Sequence, residues 1–153
     1  MELYALLAEL NIPFQQEEHI PVYTMADCDQ LHLSLQGESV KNLFLTDRTR
    51  FFLYTLPEHE RADLKALRAS LGCGKLSFAG EEPLLEKLGL TPGAVTPLGL
   101  VNNRERDVTF ILHRSLTGKT LLVHPNRNTA TLSIGAADVL RLARHLGIPA
   151  LCL

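Results

Sequence analysis

Two apolar runs separated by a short polar step constrain this chain more than any other feature. They are Lys41-Asn42-Leu43-Phe44-Leu45-Thr46 and Phe51-Phe52-Leu53-Tyr54-Thr55-Leu56, with Asp47-Arg48-Thr49-Arg50 between them. Aromatic and aliphatic runs of this length flanking so short a polar connection predict a β-hairpin. Gly37 leads a turn into the first strand, which sets Lys41 and Asn42 at the open end of the hairpin. A lysine ammonium carries three donors, and an asparagine amide both donates and accepts. The pair therefore suits a site for phosphate, carbonyl or hydroxyl groups. Against that stands the plainer role of an exposed strand-end lysine, which is usually only solvated.

Around the hairpin the elements alternate without a regular βαβ rhythm. Leu3, Leu6, Leu7 and Leu10 recur at helical spacing before Pro13, and predict a short amphipathic helix. His19-Ile20-Pro21-Val22-Tyr23 reads as extended chain, and Thr24 with Asp27 resembles a capping box opening a helix to about Leu33. Asp63 caps a helix carrying Leu64, Leu67 and Leu71 and closed by Gly72. Lys75 to Ala79 is a short strand, and Glu81 to Leu88 a helix with Pro83 in its first turn and Gly89 at its end. Thr91 to Leu100 is too rich in proline and glycine for regular structure; Pro92-Gly93 suits a type II turn in which the glycine takes a positive φ. That stiff loop either lines a ligand or merely connects. Strands follow at Val108–Leu112, Thr120–Val123 and Ala130–Ile134. A last helix from about Ala136 buries Val139, Leu140, Ala143 and Leu146. These elements predict a single α+β domain over 1–153, with a mixed, mainly antiparallel, barrel-like sheet surrounded by short helices.

Composition excludes several classes. Three widely spaced cysteines, Cys28, Cys73 and Cys152, form no CxxC pattern and argue against a disulfide framework or a zinc site. The first ten residues lack a basic n-region, and no apolar run approaches the roughly 20 residues of a membrane span. The expectation is a cytoplasmic protein with no membrane partner, no DNA partner, no metal and no cofactor. The net charge of -2 is uneven. Residues 1–100 hold 8 Lys/Arg against 14 Asp/Glu, whereas residues 101–153 hold 7 against 3. A basic final third permits contact with a polyanion on an acidic protein. No GxGxxG, P-loop, HExxH or GxSxG motif is present.

The ordered set of segments resembles the free-standing aminoacyl-tRNA deacylases related to the editing domain of bacterial prolyl-tRNA synthetase, and within them the alanyl-tRNA(Pro) deacylases. The residues that carry the resemblance are Glu18-His19 through Thr24, Lys41-Asn42-Leu43-Phe44-Leu45 with Asp47, and Lys75-Leu76-Ser77-Phe78-Ala79. They continue with Leu88-Gly89, Pro92 through Leu100, and His124-Pro125 with Asn128-Thr129 and Thr131. His113 departs from the pattern, where many relatives would carry an aspartate.

The resemblance implies a trans-editing hydrolase that deacylates mischarged alanyl-tRNA(Pro), with a positioned water attacking the ester and the substrate's ribose hydroxyl assisting. By it Lys41 and Asn42 are the catalytic residues. His19, Thr24, Ser77, Gly93, Ala94, Val95, Thr96, Pro97, Gly99 and His124 bind substrate, with Gly93 and Pro97 matching a GxxxP loop. Arg127, Arg141 and Arg144 are the expected tRNA contacts. The expected partners are mischarged tRNA, tRNA(Pro) first, and prolyl-tRNA synthetase or an elongation factor. An activated ester needs little catalysis: a ~10³-fold acceleration is roughly 4 kcal/mol. The alternatives are a deacylase for seryl-, threonyl- or cysteinyl-tRNA, and a non-catalytic tRNA- or synthetase-binding regulator of the same fold.

Overall fold

The structure, a computed structural model, describes residues 2–24, 26–27 and 34–153. Eight strands form one sheet: β1 (Phe14–Glu18), β2 (Glu38–Thr46), β3 (Phe51–Pro57), β4 (Ser77–Phe78), β5 (Val108–Leu112), β6 (Thr120–Val123), β7 (Ala130–Gly135) and β8 (Ala150–Cys152). Among the described residues the longer α-helices are α1 (Leu3–Glu9), α2 (Leu64–Leu71), α3 (Glu81–Leu88) and α4 (Ala136–His145). The order is β1-β7-β6-β2-β3-β5-β8, with β4 also on β2. The fold is thus α+β and mixed: β1–β7, β2–β3, β2–β4 and β6–β7 are antiparallel, while β2–β6, β3–β5 and β5–β8 are parallel.

The sheet is not the barrel-like form expected from the sequence. It is open, with β1 and β8 at its two ends and no pairing between them. β1, Phe-Gln-Gln-Glu-Glu, is an edge strand whose glutamates discourage further pairing, and β8 is only three residues long.

The expected hairpin forms, with Thr46 opposite Phe51 and Lys41 opposite Leu56. Its first strand starts earlier than expected. Glu38 and Ser39 pair with Leu121 and Leu122 of β6, and β3 continues to Pro57. Lys41 and Asn42 therefore lie inside β2, not at its open end.

The central strands are buried on both faces. One face, through Phe44, Leu53, Phe110 and Leu112, packs on α1, α3 and α4 in the larger core. The other, through Leu45, Phe52, Tyr54, Leu56 and Ile111, packs on Leu67 of α2 and on Leu76. Each fully buried leucine of this kind contributes about 1.5–3 kcal/mol of burial free energy.

Local chemistry ends the helices as expected. Asp63 accepts from the Ala66 amide at 3.0 Å, and Gly72 and Gly89 terminate α2 and α3 at φ of 62° and 65°. Thr24 and Asp27 form a reciprocal capping box: the Asp27 amide donates to Thr24 Oγ1 at 3.1 Å and the Thr24 amide to Asp27 Oδ2 at 3.2 Å. The rest of the helix expected there, residues 28–33, lies outside the described residues. No helix among the described residues is long and apolar enough to cross a membrane.

Candidate active site

The site begins where two parallel strands part. β6 pairs with β2 only at Glu38 and Ser39, after which Val123 is held by Leu132 of β7. β4 joins the same edge of β2 only at Leu45 and Thr46. Residues 40–43 of β2 thus border a gap with no strand beside it among the described residues. His124 follows β6 directly and leaves the sheet at that gap. A crevice where parallel strands diverge at their C-terminal ends is a common place for a ligand.

Side-chain hydrogen bonds close the crevice on one face. Thr55 Oγ1, fully buried on β3, donates to Asn42 Oδ1 at 2.5 Å, and Asn42 Nδ2 donates to the Val95 carbonyl at 3.3 Å. Thr96, also fully buried, donates from Oγ1 to the His124 carbonyl at 2.6 Å and accepts from the Leu98 amide. The hairpin, the proline-glycine loop and the His124 segment are thereby tied into one unit. The loop consists of two 3-10 helices, Pro92–Ala94 and Pro97–Asn102, rather than irregular chain. The proline that opens each supplies the required φ and lacks the amide that would have no partner there.

Gly93 does not adopt the positive φ of a type II turn; it lies within the first 3-10 helix. What favours glycine is space. A Cβ there would stand 3.0 Å from Tyr23 Cδ1 and 3.8 Å from Asn128 Nδ2. Asn128 in turn donates to the Val22 carbonyl at 2.9 Å, and the His19 amide to the Thr129 carbonyl at 2.8 Å, which brings the segment from His19 to Tyr23 over the site.

Two histidines meet there with ring centroids 6.1 Å apart. Each ring has a carbonyl beside Nδ1, from Ala130 at 2.9 Å for His124 and from Ile20 at 2.7 Å for His19. A carbonyl only accepts, so each Nδ1 carries a proton, and in the neutral tautomer that this sets Nε2 presents a lone pair. His19 Nε2 accepts from Thr131 Oγ1 at 2.8 Å. His124 Nε2 has no partner among the described residues. Burial pushes the His124 pKa below the usual histidine value, the Ala130 carbonyl opposes that shift, and neighbouring His19 adds to it. At neutral pH, then, His124 is an uncharged acceptor.

The remaining sequence-derived residues divide. Val40, Asn42 and Phe44 face the larger core while Leu43 and Leu45 face α2, so strand alternation sets Lys41 and Asn42 on opposite faces of β2. Lys41 is half-buried at the gap, with no hydrogen-bond or ion-pair partner among the described residues. Ala94 and Pro97 are buried residues of the loop's two 3-10 helices. Gly99 is packed so tightly on Leu90 that a Cβ would come within 2.6 Å of Leu90 Cδ1. Thr24 caps residues 26–27, and Ser77 pairs with Thr46, about 16 Å along β2 from Lys41 at roughly 3.3 Å per residue.

Arg127 makes a two-pronged ion pair with Glu18, both contacts 2.7 Å, which holds the Glu18 carboxyl down at about 2. Arg141 donates to the Leu10 carbonyl and lies 3.9 Å from Asp138; Arg144 is exposed. His113, in place of the expected aspartate, performs an aspartate's capping task, since its Nδ1 accepts the Ser115 amide at 3.2 Å. Thr55, Thr131, Asn128 and Tyr23 were given no site role from sequence. For Thr55 the signal was available: a hairpin turning at 47–50 sets it opposite Asn42.

Comparison with known proteins gives the family. The aminoacyl-tRNA editing domain family matches residues 19–142. The prolyl-tRNA editing protein ProX of Acetoanaerobium sticklandii is 36% identical over 146 residues, covering 94% of this chain and 89% of that protein. Prolyl-tRNA synthetase associated domain-containing protein 1 of Danio rerio is 41% identical over 144 residues, covering 92% and 78%. Among solved structures, the hypothetical protein APE2540 shares the fold with a TM-score of 0.78 at 17% identity, covering 99% and 98%. With a match across most of its length and relatives of this identity, the chain belongs to the aminoacyl-tRNA editing domain family and is an aminoacyl-tRNA deacylase.

Proposed function

We propose that the chain, acting as one unit over residues 1–153, hydrolyses mischarged alanyl-tRNA(Pro) in trans. The observation that carries this reading is the hydrogen-bonded unit of Thr55, Asn42, Val95, Thr96 and His124, which joins a proline-glycine loop to a neutral histidine at the mouth of a gap. In this reading the loop from Gly93 to Pro97 holds the amino acid against its backbone, and Asn42 sets the position of that backbone through the Val95 carbonyl. His124 Nε2 accepts a hydrogen bond from the terminal ribose hydroxyl, orienting it toward an attacking water. Lys41, at the border of the same gap, takes a phosphate or the oxyanion that develops at the ester carbonyl. Preorganised donors aimed at developing charge, together with positioning, can supply the roughly 4 kcal/mol that an activated ester requires.

Selectivity follows from size. A synthetase pocket built for proline cannot strongly reject the smaller alanine, so a second site that admits alanine and excludes proline completes a double sieve. The partners in this reading are mischarged tRNA(Pro) and prolyl-tRNA synthetase or an elongation factor as the source of substrate, in the cytoplasm.

The test is hydrolysis of alanyl-, prolyl-, seryl-, threonyl- and cysteinyl-tRNA by the purified protein, with Lys41→Ala as control. Loss of the alanyl ester on tRNA(Pro) ahead of the others, removed in a folded Lys41→Ala variant, is the expected result. Faster hydrolysis of a seryl, threonyl or cysteinyl ester would replace the substrate; full activity in Lys41→Ala would remove that residue from the mechanism.

A further inference from the structure

The Glu58 carboxylate is the least satisfied charged group in the fold among the described residues. Its side chain is only 9% exposed, and Oε1 is sealed from solvent with no hydrogen-bond partner. Oε2 has only its sequence neighbour, with His59 Nε2 at 4.0 Å and that imidazole itself 88% exposed. A sealed carboxylate oxygen cannot be served by water or by a ligand arriving from outside. Its cost is offset only by a cation or donor that the protein itself brings to it.

The hairpin register identifies the cation. Lys41 lies opposite Leu56 and Val40 opposite Pro57, and the ladder continues one step further through the Glu58 amide, which donates to the Ser39 carbonyl at 2.9 Å. Glu58 is therefore opposite Ser39. On an antiparallel pair, Ser39, Lys41, Leu56 and Glu58 share one face, and Lys41 and Glu58 stand on its diagonal. That spacing of about 7–8 Å is within reach of two long side chains. Lys41 is half-buried on that face and has no partner among the described residues. His59 and Glu60 are the other titratable groups on this turn, both exposed; Tyr54 shares the face of Leu56 and Glu58 and feels the charges of Glu60 and Asp63, and Lys119 is engaged by Glu38 at 3.6 Å.

We propose that Glu58 is the internal counter-ion of Lys41: a positioning residue whose buried carboxylate draws the ammonium back to the gap whenever no substrate group holds it. No ion pair joins the two in this structure; in the proposal the lysine side chain turns along the diagonal of the hairpin to form it. The pairing gives the otherwise uncompensated carboxylate its partner. It also gives the lysine a defined direction across the strand edge, where a solvated lysine would have none. The inference rests on the assignment of Lys41 to the site, and its test separates the two.

The experiment titrates the Lys41 ammonium by NMR at its side-chain Cε and Nζ in the full chain, in the wild type and in Glu58→Gln, beside deacylation of alanyl-tRNA(Pro) at neutral pH. Removing a close opposite charge lowers an ammonium pKa by about one unit or more, and that shift is expected in Glu58→Gln. In the deacylation assay kcat/KM should fall about tenfold in Glu58→Gln, and Glu58→Asp should recover part of both effects. An unchanged Lys41 titration in a folded Glu58→Gln protein overturns the pairing, whatever the activity does. If Glu58→Gln fails to fold, the reciprocal measurement decides: the Glu58 carboxyl must titrate higher in Lys41→Ala than in the wild type, and an unchanged value refutes the proposal. Full deacylation by Lys41→Ala would instead remove the lysine from the reaction while leaving the NMR coupling to be judged on its own.

Discussion

At the residue scale, the buried Thr55 hydroxyl and the His124 imidazole make different demands. Thr55 is fully buried and its proton goes to Asn42 Oδ1. Thr55→Val keeps the shape and removes the donor, leaving the amide oxygen unpaired, at a cost of about 1–3 kcal/mol. The expected result is a lower urea midpoint with an unchanged m-value, and a loss of kcat/KM as the Val95 carbonyl loses its fixed support. Asn42→Ala removes the link to the loop altogether and should reduce deacylation further. His124 is governed by burial, which favours its neutral form in the folded state. Its folded pKa lies below the unfolded value near 6.5, so the unfolded chain takes up a proton first as pH falls. The stability contributed by neutral His124 is full above about pH 6.5 and is lost as pH drops through that value toward the folded pKa. Urea midpoints measured from pH 7.5 to 5 should decline in the wild type and decline less in His124→Gln. Deacylation should fall over the same acid range, since a protonated Nε2 accepts nothing.

At the element scale, two glycines of the same loop answer to different neighbours. A Cβ at Gly99 would meet the buried Leu90 side chain at 2.6 Å and the Leu88 carbonyl at 3.4 Å, and neither can retreat from the core. Gly99→Ala should therefore cost about 1–3 kcal/mol, read as a drop in melting temperature. A Cβ at Gly93 would meet Tyr23, which is 70% exposed and free to turn away. Gly93→Ala should leave stability within about 0.5 kcal/mol of wild type while lowering kcat/KM, because the ring and the added methyl now occupy the face offered to the aminoacyl group. Equal losses of stability in the two variants would show that the loop is packing alone.

At the scale of the whole molecule, tertiary contacts sort the arginines of the basic final third. Arg127 is committed to Glu18, and Arg141 to the Leu10 carbonyl and Asp138; Arg144 is exposed on the last turn of α4. Phosphate contacts release counterions, so each contributes about one unit of slope when the logarithm of affinity is plotted against that of salt concentration. Arg144→Ala is expected to weaken tRNA binding and lower that slope, and Arg127→Ala to leave the slope near its wild-type value. A larger change for Arg127 would mean that tRNA displaces Glu18 from the guanidinium.

How much could be read beforehand follows from the range of each interaction. The helices, their caps and the hairpin depend on contacts a few residues apart, so Asp63, Gly72, Gly89 and the turn at 47–50 announce themselves. The same hairpin already carried the pairing of Asn42 with Thr55, and the ordered segments carried the family. What sequence alone could not supply was long-range pairing. β1 is too polar and β8 too short to stand out, and each exists because β7 or β5 offers an open edge. The sheet's failure to close, the gap where β2 and β6 part, and the meeting of His19 with His124 join residues as many as 112 apart, as in the His19–Thr131 bond. Local propensity determined which elements form and which chemical groups they carry. Only the packing of strands distant in sequence decided that the sheet parts beside Lys41 and Asn42, that the glycine loop is tied to the His124 carbonyl by Thr96, and that the Glu58 carboxylate is buried.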